Sequence, residues 1–144
     1  MNNLRLARKI LKIIGLRAKV VYGDEHCVEF FRDGSAPVIT IVNEKMSLDK
    51  YEVISHEIFE RNFHMPNTNP YIMSMLHEIG HAKLNHTYCA EYVDEREKIA
   101  EMLRAGVVDI VRANELYSNL KYEYDANIWA ANFYYDYRNR LELN

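Results

Sequence analysis

The sequence has only two cysteines, Cys27 and Cys89, far apart in the chain. Two such thiols do not make the disulfide framework of a small secreted domain. Long hydrophobic runs are also missing. None approaches the roughly 20 residues that cross a bilayer, and Ile10 to Ile14, interrupted by Lys12, is too short for the core of a secretory signal. With 3 prolines and 5 glycines, the chain is neither collagenous nor of low complexity. These absences predict a reduced, cytoplasmic protein with two free thiols. A dominant charge sign is lacking too. The formal net charge of −3 gives no global basic field, which argues against direct nucleic-acid binding. The local exception is the start, where Arg5, Arg8, Lys9, Lys12, Arg17 and Lys19 have no acid among them. The favoured reading is the solvated face of an amphipathic helix; docking of an acidic partner or nucleic acid is the competing one.

What is present is an ordinary apolar content of 49% in 144 residues, enough for one domain with a substantial core. Leu4, Ala7, Ile10, Leu11 and Ile14 recur at helical spacing, and Gly15 suits the cap that ends the helix. Three short β-branched or aromatic runs follow: residues 18–22, 27–31 and 38–42. Turn residues Gly23-Asp24 and Asp33-Gly34 separate them, which predicts an antiparallel meander. From Ser47 the pattern is helical. One helix is capped by Ser47 or Asp49 and runs to about Phe63. A second starts at Asn69-Pro70 and runs to about His86. Further helices are expected over 94–103, 107–120 and 121–141. The expected class is α+β: a single domain over 1–144, with an N-terminal helix and a small antiparallel three-stranded sheet in 1–43 and a helical part in 44–144.

Chemistry concentrates at His77-Glu78-Ile79-Gly80-His81, an HExxH motif. Two histidines four apart on a helix project from one face, so both rings can reach one metal at about 2.0–2.1 Å. Zinc lowers the pKa of bound water from about 15.7 to about 7, and Glu78 beside the pair can carry the proton. Gly80 is disfavoured inside a helix by about 1 kcal/mol relative to Ala, so close approach of another backbone or of the metal is expected there.

A catalytic site needs a third protein ligand. His86 is near in sequence, but a continuous helix turns it off the ligand face, so it is expected in packing or behind a ligand. Glu123 is the better candidate. Glu123, Ala126, Asn127 and Ala130 share one helix face, and the two alanines permit close approach to the His77 helix. Asn127 is placed to orient a ligand's second nitrogen. On spacing alone, a surface role for Glu123 is equally open.

His-Glu-Ile-Gly-His, followed by Glu123-Tyr-Asp-Ala-Asn-Ile-Trp-Ala, resembles the ImmA/IrrE family of gluzincin metallopeptidases. Their second motif has Glu and Phe where this chain has Asp125 and Trp129. The resemblance implies a zincin-like core, Glu123 as third ligand, and a zinc endopeptidase that cleaves a helix-turn-helix transcriptional repressor of a phage, mobile element or stress regulon. A site of two histidines and one carboxylate also suits manganese or iron. Two features depart from the family: residues 44–69 separate sheet and motif, and the stretch from His81 to Glu123 is long and helical. Extra helices there could cover the cleft or dock a partner.

Other residues carry blander expectations. His56 to Glu60 imitates the motif without its second histidine and is expected on a helix surface. His26 and His64 are expected at the surface or in turns, and Cys27 and Cys89 as small buried side chains. The tyrosines clustered over 117–137 are expected in the core or an interface, one of them a candidate to stabilise an oxyanion. The alternative function is a non-catalytic protein-binding module with a structural or empty metal site.

Overall fold

The computed structural model describes residues 1–87 and 89–144. Helix α1 (Asn3–Ile14) is followed by β1 (Lys19–Gly23), β2 (Cys27–Glu29) and β3 (Val38–Val42). Five helices follow: α2 (Lys50–Phe63), α3 (Pro70–Lys83), α4 (Ala90–Arg104), α5 (Ile110–Ser118) and α6 (Lys121–Tyr137). The fold is α+β, and among the described residues no helix is long and apolar enough to cross a membrane.

The sheet corrects the expected antiparallel meander. It is mixed, in the order β1-β3-β2. β1 runs parallel to β3, with Val20 opposite Ile39 and Gly23 opposite Val42. β2 runs antiparallel to β3, with Cys27 opposite Thr40. The turn after Gly23 therefore closes no hairpin; the chain crosses to the far side of β3. The reason lies in the strands themselves. Val38-Ile39-Thr40-Ile41-Val42 is the most apolar run and takes the central place, with Ile39, Ile41 and Val42 buried. Short β2, with Glu29 exposed, suits an edge.

α1 behaves as the amphipathic helix expected. It buries Leu6, Ala7, Ile10 and Leu11, exposes Arg5, Arg8, Lys9 and Lys12, and ends at Gly15 with φ of 66°. α3 runs through the middle, packing on α6, on β2 and β3, and on α1 and α2. Its start follows the sequence: the Asn69 side chain accepts from the Tyr71 and Ile72 N–H groups, and Pro70 needs no partner. Ile72, Met73, Met75, Leu76 and Ile79 join Ile39, Ile41 and Phe133 in one core.

The end of α3 corrects a second expectation. The helix stops at Lys83, and Asn85 takes a positive φ of 54°. The chain turns back there, with the His86 N–H donating to the His81 carbonyl at 3.0 Å. Leu84 is left exposed past the helix end.

Candidate metal centre

α3 and α6 meet at Gly80. A Cβ built there would lie 3.1 Å from the Ala126 carbonyl oxygen and 3.2 Å from Trp129 Cε3. Ala126 and Ala130 are fully buried at the same contact. The small residues let the two helix backbones approach, and that approach brings Glu123 over the histidines.

The Glu123 Oε2 atom lies 2.9 Å from His77 Nε2 and 2.9 Å from His81 Nε2, and the two Nε2 atoms are 3.0 Å apart. Among the described residues this is the one group of histidine, cysteine or acidic side chains able to hold a metal ion. The rest of each ligand is also held. His77 Nδ1 and Asn127 Oδ1 are 2.6 Å apart. Because an amide oxygen only accepts, Nδ1 carries the proton and Nε2 keeps its lone pair for a metal. His81 Nδ1 lies 3.0 Å from His86 Nδ1, and the His86 ring stacks on Tyr122 with centroids 4.4 Å apart. Glu123 Oε1 accepts from Tyr92 and Tyr117, each at 2.6 Å.

This donor set fits a divalent cation. Two imidazole nitrogens and one carboxylate oxygen converge with lone pairs inward and outer atoms engaged, leaving a side open to the cavities. Burial disfavours an imidazolium at His77, but hydrogen bonding and attraction to Glu123 outweigh it and push its pKa up to about 9. Burial likewise opposes ionisation of Glu123, yet the His77 contact holds its carboxyl well below the usual range.

No protein-family model, curated protein or solved structure matches the chain.

Glu78 follows His77 and faces two cavities. One, of about 210 Å³, lies among α2, α3, α5 and α6, with Phe59, Met73 and Asn114 in its wall. The other, of about 260 Å³, lies among β2, α3, α4 and the start of α6, with Cys27, Phe30 and Arg96 in its wall. His26, Glu78, Tyr117 and Glu123 line both. Among the described residues, no hydrogen bond holds the Glu78 carboxylate. Burial raises its pKa, against the attraction of His77 and His81.

His77, Glu78, His81, Glu123 and Asn127 are therefore brought together, and His86 stands behind His81 as expected. It gets there by another route, since the helix ends before it. His64, exposed at φ 52°, caps α2. His26 is a different matter. It sits in the turn as expected, but its side chain is only 2% exposed. Its Nε2 accepts from the Val42 N–H at 3.3 Å, so Nδ1 donates to Glu52 at 2.7 Å and ties the sheet to α2. No periodicity marks it, because Glu52 reaches it only through tertiary packing. His56 is half-buried and bonds to Thr68 at 2.8 Å, while Glu60 accepts from the Thr68 N–H and hydroxyl. The imitation motif thus fixes the α2–α3 turn instead of lying on the surface. Cys27 is partly buried beside the second cavity, but Cys89 is exposed, and both thiols are free.

Proposed function

We propose that this chain is a metal-dependent endopeptidase of the gluzincin type, with a zincin-like core and zinc on His77, His81 and Glu123. The single observation that carries the reading is the convergence of those three ligand atoms within 3.0 Å of one another, beside an acid that no hydrogen bond holds. A buried structural site would have little use for such an acid. A cleft that takes a peptide across the metal would.

A bound zinc supplies Lewis acidity and lowers the pKa of water to about 7. The protein does the rest. Asn127 and His86 fix the two imidazoles, so that their lone pairs point at one place. Glu78 takes the proton from the attacking water and hands it to the leaving amine; burial, which raises its pKa, favours the protonated form it passes through. A peptide spanning the two cavities crosses Glu78, which lines both. Beyond its histidines and Glu52, Glu78 and Glu123, the α2 cavity is walled by uncharged residues such as Phe59, Met73 and Ser74, which suit an apolar or small polar side chain beside the scissile bond.

The resemblance of the HExxH and Glu123–Ala130 motifs to the ImmA/IrrE family supports a helix-turn-helix repressor as substrate. Derepression of the repressor's genes would follow cleavage. The test is direct: zinc-loaded protein is incubated with candidate helix-turn-helix repressors, any encoded by neighbouring genes first, and the products are read by mass spectrometry. One defined cut, lost in Glu78→Gln, supports the reading. An uncut repressor that still binds the protein supports the non-catalytic binding module instead.

A further inference from the structure

Tyr92 on α4 and Tyr117 on α5 converge on a single atom. Each phenol donates to Glu123 Oε1 at 2.6 Å, and the two phenol oxygens lie 3.5 Å apart. Glu123 is 2% exposed, so its carboxylate depends on these partners and on the histidines. The division between its oxygens is strict: Oε2 faces the imidazole nitrogens, and Oε1 faces the phenols. A carboxylate oxygen has two lone-pair sites, and two donors occupy both on Oε1. None remains there for a metal. Arg96 lies over both rings, 5.6 Å from the Tyr92 centroid and 5.8 Å from that of Tyr117.

We propose that Tyr92 and Tyr117 are positioning residues of the metal centre, restricting Glu123 to ligation through Oε2 alone and so setting the affinity and coordination number of the site. The inference rests on the metal-centre reading and extends it to a part of the chain whose role the sequence leaves open. The α4–α5 segment falls between the HExxH motif and the third ligand, where it reads as an insertion available for docking. Its two phenols instead make it part of the centre. With one hydroxyl gone, Oε1 regains a lone pair, and the carboxylate can rotate toward two-oxygen ligation. With both gone, nothing holds Oε1 away from the metal or keeps Oε2 aimed at it, so the carboxylate is no longer oriented for the site.

The experiment compares the wild-type chain with Tyr92→Phe, Tyr117→Phe and the double variant. Zinc affinity is measured by competition with a chromophoric chelator, and coordination by the visible absorption of the cobalt(II)-loaded protein. Tyr135→Phe, at an exposed position on α6, is the control. Each single variant is expected to bind zinc about tenfold more weakly and the double variant about a hundredfold. The cobalt(II) absorption should weaken as a fifth ligand atom joins, while Tyr135→Phe keeps both properties. Circular dichroism of the metal-free variants separates a changed centre from a lost fold. If the double variant does not fold, the two single variants decide. Wild-type affinity and spectra in variants that fold overturn the role of the tyrosines and leave the metal centre standing. A wild-type chain that binds neither zinc nor cobalt overturns both.

Discussion

Gly80 lies against the backbone of Ala126: a Cβ at position 80 would come 3.1 Å from the Ala126 carbonyl oxygen. That oxygen belongs to α6 and cannot move unless the helix does. Trp129, the other neighbour, stacks on Phe133 with centroids 5.3 Å apart and has little room to turn. Gly80→Ala gains about 1 kcal/mol of helix propensity, but crowding a packed contact costs typically about 1–3 kcal/mol. We expect a net loss of about 1–2 kcal/mol in a denaturant titration. Because α6 carries Glu123, zinc affinity should fall with it. Unchanged stability and affinity would mean that the approach of α6 does not set the site.

Asn127 fixes His77 through one 2.6 Å hydrogen bond. Replacing it with Ala frees the ring to rotate and removes the acceptor that keeps the proton on Nδ1. Zinc affinity should drop about 10–100-fold, read by chelator competition, with little change in the circular dichroism spectrum. An Asp at this position keeps an oxygen acceptor, so Asn127→Asp should retain most of the affinity.

Acid and base act on the metal-free protein in opposite directions. His77, raised to about 9 in the fold, stabilises fully below its unfolded value of about 6.5, and that contribution disappears as pH rises toward 9. Glu123, held low in the fold, contributes above its unfolded value of about 4.3, and that contribution disappears as pH falls through its depressed folded value. Thermal melting of chelator-treated protein should therefore be highest between those unfolded values and fall on both sides. Zinc must displace the His77 proton, so its affinity should rise about tenfold per pH unit below 9. An affinity flat from pH 6 to 8 would contradict protonation of His77 in the empty site.

Glu78→Gln keeps the shape of the acid but not its basicity. Cleavage of the protein substrate should fall by at least about 100-fold, while zinc content and melting temperature stay near those of the wild-type chain. Persistent cleavage would move the base elsewhere.

The legible parts of this protein are those fixed locally. The α1 stripe, the Asn69-Pro70 start of α3 and the HExxH face follow from spacing alone, and so does the alanine face of α6. Glu123 and Asn127 share that face, but spacing alone leaves a surface role for Glu123 equally open, and its reading as third ligand leans on the resemblance. What stayed hidden depends on elements distant in sequence. The order of the sheet turned on which strand was apolar enough for the centre, which a local turn signal misstates. His86 reaches His81 by a route that spacing does not show, because α3 ends at Lys83 and Asn85 turns the chain at a positive φ. Burial of His26 requires Glu52, and the purpose of Tyr92 and Tyr117 requires Glu123. The tyrosine count was visible, but the single oxygen that two of them share was not.

The central claim is tested most directly by the metal content of the purified chain. Expressed without a chelating tag and dialysed against metal-free buffer, the wild-type protein should retain about one zinc per chain, by the three-ligand arithmetic of a catalytic site. His77→Ala, His81→Ala and Glu123→Ala should each retain far less. A folded wild-type protein that takes up no stoichiometric divalent metal, or a Glu123→Ala variant that holds zinc as tightly as the wild type, would contradict the account.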